Sequence, residues 1–185
     1  LRADLALLTG LPDTAVDVVR LEAAGCYGRN GADDVTADAA LLSRAVGRPV
    51  RVQLTREQEH QWEPKGAAQL MDVDGSVGSD GRLQGWDFST CYPSNAAPTL
   101  ALLLTGRVAA TPQAYAMGDR TSVPPYQVPN LKVTVNDMPP LLRASWLRGV
   151  SALPNSFAHE SFVDELAHAQ GEDPLAFRLK HLDDP

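Results

Sequence analysis

QLMDVDGSVGSDGRLQGWDFSTCYPSN, residues 69–95, is the segment on which the predicted fold depends. It contains two runs of strand-like composition, one around Leu70-Met71-Asp72-Val73 and one over residues 83–91. Around them lie the turn formers Asp74-Gly75, Gly78 and Asp80-Gly81, which favour a tight reversal of the backbone. The segment therefore predicts a β-hairpin.

The rest of the chain mixes strands and helices without a regular alternation of the two. A β-branched run or period-two alternation predicts three more strands, at residues 16–21, 50–54 and 131–135. Helical spacing and capping residues predict helices at residues 1–8, from Asp33 or Asp34 to about Ala45, from Thr55 to Glu59, near 100–104, at 155–169 and from Asp173-Pro174 onward. The mixture indicates the α+β class, with a mixed sheet and packed helices. A doubly wound parallel sheet, or the absence of two among the strands at 16–21, 50–54, 83–91 and 131–135, would contradict this architecture.

The composition excludes several classes of protein. An apolar fraction of 44% and a charged fraction of 21% in 185 residues are typical of a folded globular chain. Because the chain has 23 Asp and Glu but only 16 Lys and Arg, acidic residues are in excess, and a surface that binds nucleic-acid phosphates is not expected. No apolar stretch approaches the roughly 20 residues of a membrane helix, so we expect no span in this segment. Since the chain starts at Leu1 without Met and stops just after a helical pattern, we expect an internal fragment.

The segment Gly25-Cys26-Tyr27-Gly28-Arg29-Asn30-Gly31 is the first candidate ligand site. Its spaced glycines let the backbone approach a ligand closely, and the helix after it offers free N–H groups to an anion such as a phosphate. The same spacing is more often a plain turn, and neither a dinucleotide fingerprint nor a P-loop is present. Both interpretations stay open on the residues alone.

Arg148-Gly149 is the second candidate, in a predicted loop just before a helix. A guanidinium there can bind an anion with two parallel hydrogen bonds, and the glycine permits close approach. The alternative is an ordinary exposed arginine.

The histidines do not suggest a catalytic or metal site. His159-Glu160 resembles the start of a zinc-protease helix, but Val163 stands where the second ligand would be, so plain helix surface is predicted. The others lack an acid or nucleophile at a recognisable spacing and are predicted to be solvated: His60, His168 and His181. The two cysteines, Cys26 and Cys91, match no zinc pattern or disulfide scaffold. We expect no catalytic residue and no direct metal ligand in this chain.

Taken in order, these segments resemble the xanthine dehydrogenase and aldehyde oxidase family, in which the large subunit carries a molybdenum cofactor. Gly25-Cys26-Tyr27-Gly28 matches the family's glycine-aromatic-glycine cofactor loop, and Leu147-Arg148-Gly149 matches a later segment. Between them follow, in the family's order, the Ala-rich helix at 36–45, Gly47-Arg48-Pro49-Val50, Thr55-Arg56-Glu57 and Tyr126-Gln127-Val128-Pro129-Asn130. Residues 25–34 and Trp62-Glu63-Pro64 look most like the bacterial isoquinoline 1-oxidoreductase or nicotinate dehydrogenase type of β subunit.

The resemblance implies a division of the chain and a set of cofactor contacts. Residues 1–143 would be the C-terminal part of the first molybdopterin-binding domain, and 144–185 a cofactor-contact loop with helices leading to the second. The cofactor-binding residues would be Gly25, Cys26, Tyr27 and Gly28 on one side, and Arg148 and Gly149 on the other. We expect molybdenum-molybdopterin in its cytosine dinucleotide form, which is common in bacterial members.

The resemblance also implies the reaction. Such enzymes hydroxylate with oxygen from water, using a glutamate from a glycine-rich motif near the C-terminus of the full subunit and iron-sulfur clusters on a small partner subunit or domain. Neither is in this chain, so the fragment alone is expected to be inactive. The compartment, bacterial cytoplasm or periplasm, stays open.

Departures from the family pattern bear on the substrate. Gly31 stands where xanthine-type enzymes carry an acidic substrate contact, and Lys65-Gly66-Ala67 where they carry a clamping arginine. Val150 replaces the aromatic residue that would cover the substrate, which makes it the candidate substrate contact. We therefore expect an N-heteroaromatic compound other than a purine, or an aldehyde. The alternative is a non-catalytic cofactor-binding or subunit-docking module of the same fold.

Overall fold

The computed structural model describes residues 1–28, 30–94, 96–110 and 113–182, so Arg29 of the glycine segment lies outside the described residues. Two units can be distinguished. Unit 1 comprises Leu1–Ala67, Asn95–Gln113 and Pro140–Arg148, and unit 2 comprises Ala68–Ser94, Ala114–Pro139 and Gly149–Pro185. The domain boundary expected after residue 143 stays a prediction.

Unit 1 is helical in its described part. Its α-helices are α1 (Arg2–Thr9), α2 (Asp34–Val46), α3 (Arg56–Trp62) and α4 (Leu100–Leu104), with short 3₁₀ helices at Asp13–Ala15 and Asn30–Asp33. Gly10 and Gly47 end α1 and α2 in the left-handed conformation, and Thr55 begins α3 with a capping box completed by Gln58. Asp33 takes the N-cap position of α2, but its side chain accepts no capping hydrogen bond from the first turn. The core consists of Leu5, Leu8, Ala37, Ala101 and Leu102. The predicted helices of this unit are confirmed.

The two strands predicted in unit 1 are wrong, because neither residues 16–21 nor 50–54 belong to a strand. The side chains of residues 50–54 do alternate between half-buried and exposed, as the period-two pattern indicates. Alternation makes a segment suitable for a sheet, but a strand also needs a neighbouring backbone. The four-strand architecture therefore fails, while the α+β class is confirmed.

Unit 2 contains a mixed three-stranded sheet. Its strands are β1 (Leu70–Val77), β2 (Leu83–Pro93) and β3 (Asn130–Met138), in the order β1-β2-β3. The β1-β2 hairpin is antiparallel and β2-β3 is parallel. The predicted hairpin and the strand at 131–135 are confirmed, although β1 continues through Asp74-Gly75, which the sequence suggested as a turn. A Cβ at Gly75 would lie 2.9 Å from the Phe162 ring, so the glycine serves close packing rather than a turn.

Two helices of unit 2, α5 (Ala152–Ala169) and α6 (Pro174–His181), confirm the predicted helical tail. Asp173 caps α6 by accepting a hydrogen bond from the Ala176 N–H at 2.9 Å, and Pro174 occupies the first turn. The core of the unit consists of Leu83, Trp86, Phe88, Val163, Ala167 and Phe177.

Two histidine predictions are wrong, since His159 and His181 are buried. His159 shares one face of α5 with buried Val163, because residues four apart lie on the same side of a helix. Its ring lies 4.3 Å from the Phe88 ring, and its Nε2 lies 3.1 Å from the Ser122 carbonyl oxygen. Burial is the main reason why the pKa of His159 is lowered.

His181 links α6 to β2. Its Nε2 accepts the Leu83 N–H at 3.0 Å, which leaves Nδ1 to donate to the Phe177 carbonyl oxygen at 2.7 Å. Both bonds together require the neutral imidazole with its proton on Nδ1.

None of the helices in the described part of the chain is long and apolar enough to span a membrane.

Candidate functional site

The glycine loop, residues 25–28, has an unusual backbone and is exposed except at Gly28, which is half-buried. Gly25 and Gly28 have φ values of +138° and +129°, and Tyr27 between them has φ +49°. Glycine adopts positive φ readily, whereas Tyr27 carries a side chain, so its left-handed conformation costs free energy. The Tyr27 side chain is 68% exposed. Cys26 carries an exposed free thiol.

The same loop is paired with the segment that ends in Arg148. Gly28 and Leu147 form an antiparallel bridge, and the Arg148 N–H donates to the Tyr27 carbonyl oxygen at 2.7 Å. The two cofactor-contact segments expected from the sequence are thus neighbours within unit 1. That they bind a cofactor stays a prediction.

The glycine at position 28 is required by this pairing. A Cβ there would lie 2.7 Å from the Leu147 Cα and closer still to the Trp146 carbonyl oxygen. Close approach was expected between the loop and a ligand. In the structure, the group that approaches Gly28 closely is the chain's own backbone.

The Arg148 side chain is exposed, and its guanidinium has no hydrogen-bond or salt-bridge partner among the described residues. Its backbone is fixed by Tyr27, whereas its five N–H donors are available to an anion. Packing within the described residues gives no reason for an arginine at this position.

Gly149 and Val150 follow Arg148 directly and belong to unit 2. Both have positive φ, +94° for Gly149 and +53° for Val150. A left-handed conformation is unusual for a β-branched residue and is found where surrounding contacts enforce it. The Gly149 carbonyl oxygen accepts the Ala152 N–H at 2.8 Å, and the Val150 side chain is half-buried.

An ion pair that sequence reasoning missed lies close in sequence to both loops. The Asp34 carboxylate accepts two hydrogen bonds from Nη2 of Arg143, at 2.5 and 2.6 Å. It also accepts the Leu100 N–H at 2.8 Å. The sequence suggested Asp34 only as a helix cap, and no local pattern marked Arg143.

A cavity of about 390 Å³ between α2 and α3 is the main alternative site in unit 1. Its lining includes four carboxylates, those of Asp34, Asp38, Glu59 and Glu63. Burial, and secondarily the charge of Asp34, raises the pKa of Asp38. Carboxylates repel an anionic ligand, so the cavity does not suit a phosphate-bearing cofactor.

Comparison with known proteins now decides the family. A family model described as the molybdopterin cofactor-binding domain matches residues 1–182. The chain belongs to this family. The resemblance inferred from the sequence is thereby confirmed.

Two bacterial relatives of the domain illustrate its context. The chain is 66% identical over 185 residues to one subunit of the nicotinate dehydrogenase of Pseudomonas putida, covering all of this chain and 16% of that protein. It is 26% identical over 159 residues to the β subunit of isoquinoline 1-oxidoreductase of Brevundimonas diminuta, covering 85% of this chain and 20% of that protein. The chain therefore spans about a sixth to a fifth of the length of these relatives.

Solved structures of related enzymes share the fold of this molybdopterin cofactor-binding domain. The aldehyde oxidoreductase of Desulfovibrio gigas superimposes with a TM-score of 0.62 at 27% identity, covering 95% of this chain and 18% of that chain. Quinoline 2-oxidoreductase of Pseudomonas putida 86 gives a TM-score of 0.66 at 22% identity, covering 100% of this chain and 23% of that chain. At that lower identity the likeness concerns the fold.

The donor chemistry of the two paired loops fits the cofactor of this family. A phosphate-bearing pterin is an anion, and it needs fixed N–H donors. Arg148 presents an exposed guanidinium without a partner among the described residues, beside a loop whose backbone is already held in place.

Proposed function

We propose that this chain is part of the large subunit of a molybdenum hydroxylase and that the paired loops of unit 1 hold its molybdopterin. The observation that carries the proposal is the hydrogen bond from the Arg148 N–H to the Tyr27 carbonyl oxygen, which places the backbone of Arg148 beside the glycine loop, while its exposed guanidinium has no partner in the described chain. Membership of the molybdopterin cofactor-binding domain family supports it.

The residues have separate proposed roles. Gly25, Cys26, Tyr27 and Gly28 provide a backbone surface against the cofactor, and Arg148 binds its anionic group with a two-pronged hydrogen bond. Gly149 follows as a cofactor contact that permits close approach. Val150 is the proposed substrate contact.

When bound, the cofactor supplies the oxidation by which oxygen from water is added to a substrate carbon. The task of this chain is to bind and orient the cofactor. The proposed substrate is an N-heteroaromatic compound of the nicotinate type, as the name of the 66% identical relative suggests, with an aldehyde as the second choice. The proposed cofactor form is the cytosine dinucleotide, and the proposed partner is a small iron-sulfur subunit.

The proposal is tested on the full-length protein purified with its partner subunit. We expect molybdenum, a cytidine nucleotide and nicotinate-dependent reduction of a dye, and we expect the isolated chain to reduce none. A full-length protein that binds molybdenum but oxidises no substrate would favour the non-catalytic module. A protein without molybdenum would refute the proposal.

Arg148→Ala tests the site itself. Losing a charge-assisted hydrogen bond worth about 1.5 to 3 kcal/mol should weaken cofactor retention roughly tenfold or more. Arg107→Ala is the matched control, because Arg107 is also an exposed arginine of unit 1 whose guanidinium has no partner in the described part of the chain. Equal molybdenum content in both variants would mean that Arg148 is an ordinary surface residue.

A further inference from the structure

The Asp34-Arg143 ion pair joins the two chain segments that form the candidate site. Asp34 is the first residue of α2 and follows Gly28 by six positions, and Arg143 precedes Arg148 by five. Their side chains are only 12% and 18% exposed. The pair is therefore shielded from solvent and less weakened by salt than an exposed pair.

The backbone of Ala32 and Asp33, directly before Asp34, needs such an anchor. Ala32 has a φ of +53°, which costs a residue with a Cβ about 1–2 kcal/mol, and Asp33, a residue type that tolerates this region better, has a φ of +63°. Ala32 is fully buried. Because Asp34 comes directly after these residues, its bonds to Arg143 and to the Leu100 N–H fix the point at which the strained turn enters α2.

Arg143 fixes the other segment in the same way. Besides Asp34, its guanidinium donates to the Pro98 carbonyl oxygen at 3.3 Å. The residues after Arg143 pair with other backbone segments of unit 1. Ala144 forms a parallel bridge with Lys65, and the Ser145 N–H donates to the Lys65 carbonyl oxygen at 2.9 Å. Leu147 then forms the antiparallel bridge with Gly28. Arg143 therefore makes the first of a series of contacts along residues 143–147 that ends at the candidate site.

We infer that Asp34 and Arg143 are positioning residues, which hold the glycine loop and the Arg148 segment in register and so control how firmly the cofactor is retained. The inference rests on the proposed function for its ligand, and on the geometry of unit 1 for the loops. Neither residue needs to touch the cofactor.

The test uses Asp34→Asn and Arg143→Lys in the full-length subunit with its partner. The first keeps the shape and removes the charge, and the second keeps the charge and removes the planar fork. Glu160→Gln in unit 2 is the control, because that carboxylate also bonds an arginine, Arg178, at 2.7 Å in a part-buried site. Molybdenum content after dialysis, hydrogen exchange of peptides covering residues 25–28 and 144–148, and melting temperature are measured for each.

We expect both site variants to lose molybdenum about tenfold faster, the low end for residues that support a bound group. Exchange should accelerate in both peptides. The control should lower the melting temperature with molybdenum retention unchanged. Unchanged retention in Asp34→Asn and Arg143→Lys, or unchanged exchange in either peptide, would overturn the inference. If the unaltered protein contains no molybdenum, the proposed function fails, whereas the exchange data still decide whether the pair fixes the loops.

Discussion

Replacing Gly28 by Ala tests whether a glycine is required at this position by the fold or by a bound ligand. At φ +129° a non-glycine residue costs about 1–3 kcal/mol. The new Cβ would lie 2.7 Å from the Leu147 Cα, 0.7 Å short of the 3.4 Å at which ordinary contact begins. Forcing the segments apart costs about 1–3 kcal/mol more, as in overpacked cores. We expect a total of about 2–6 kcal/mol without any cofactor.

The assay is hydrogen exchange of the Arg148 amide, which donates to the Tyr27 carbonyl oxygen, in cofactor-free protein. A loss of about 2 kcal/mol in the local opening free energy accelerates exchange roughly thirtyfold. Gly10→Ala is the control, because its φ is +71° and its Cβ would meet nothing within 4 Å. Only the left-handed conformation then costs energy, about 1–2 kcal/mol, and the Arg148 amide should be unaffected. Normal protection at Arg148 in cofactor-free Gly28→Ala, with molybdenum lost from the complete enzyme, would refute the reasoning.

Two further predictions concern unit 2. Desolvation, followed by the hydrogen bond to Glu160, raises the pKa of Tyr126 from 10.0 to about 12. The unfolded chain therefore releases this proton first, so stability should fall as pH rises from 10 to about 12, and denaturant titrations should show a smaller fall in Tyr126→Phe. His181→Leu should cost about 1–3 kcal/mol in the same titrations at neutral pH, because the buried Leu83 N–H loses its acceptor. An unchanged midpoint would show that another group accepts this N–H.

The parts of the fold that depend on neighbouring residues could be predicted from the sequence. Thr55 with Gln58, and Asp173 with Pro174, mark helix starts because a capping side chain and the backbone N–H that it accepts lie within one turn. The hairpin followed for the same reason, since its strands are joined by their own turn. Residues 50–54 show the limit. Their side chains alternate as in a strand, but the sequence does not reveal whether another backbone lies alongside.

The sequence indicated which segments form the candidate site, but it did not indicate the ion pair that holds them in place. Family resemblance indicated that the Tyr27-Gly28 loop and Arg148 belong together, and the structure places them in contact. Asp34 was expected only as a helix cap, because a cap is the local use of an acidic residue at that position. Its actual partner, Arg143, is far away in the sequence, and such a pair is chosen by the fold.

Residues of the site differ in how strongly they indicate a ligand. A Cβ at position 28 would collide with the backbone of Trp146 and Leu147, so a glycine would be required there even in a protein that bound no ligand. Arg148 is different, because its guanidinium is exposed and no group in the described chain uses it. The pairing with Tyr27 involves only the backbone of Arg148, so it does not explain why a long charged side chain stands at this position. The case for a bound anion at this site therefore rests on Arg148, and the comparison of Arg148→Ala with Arg107→Ala is the measurement that decides it.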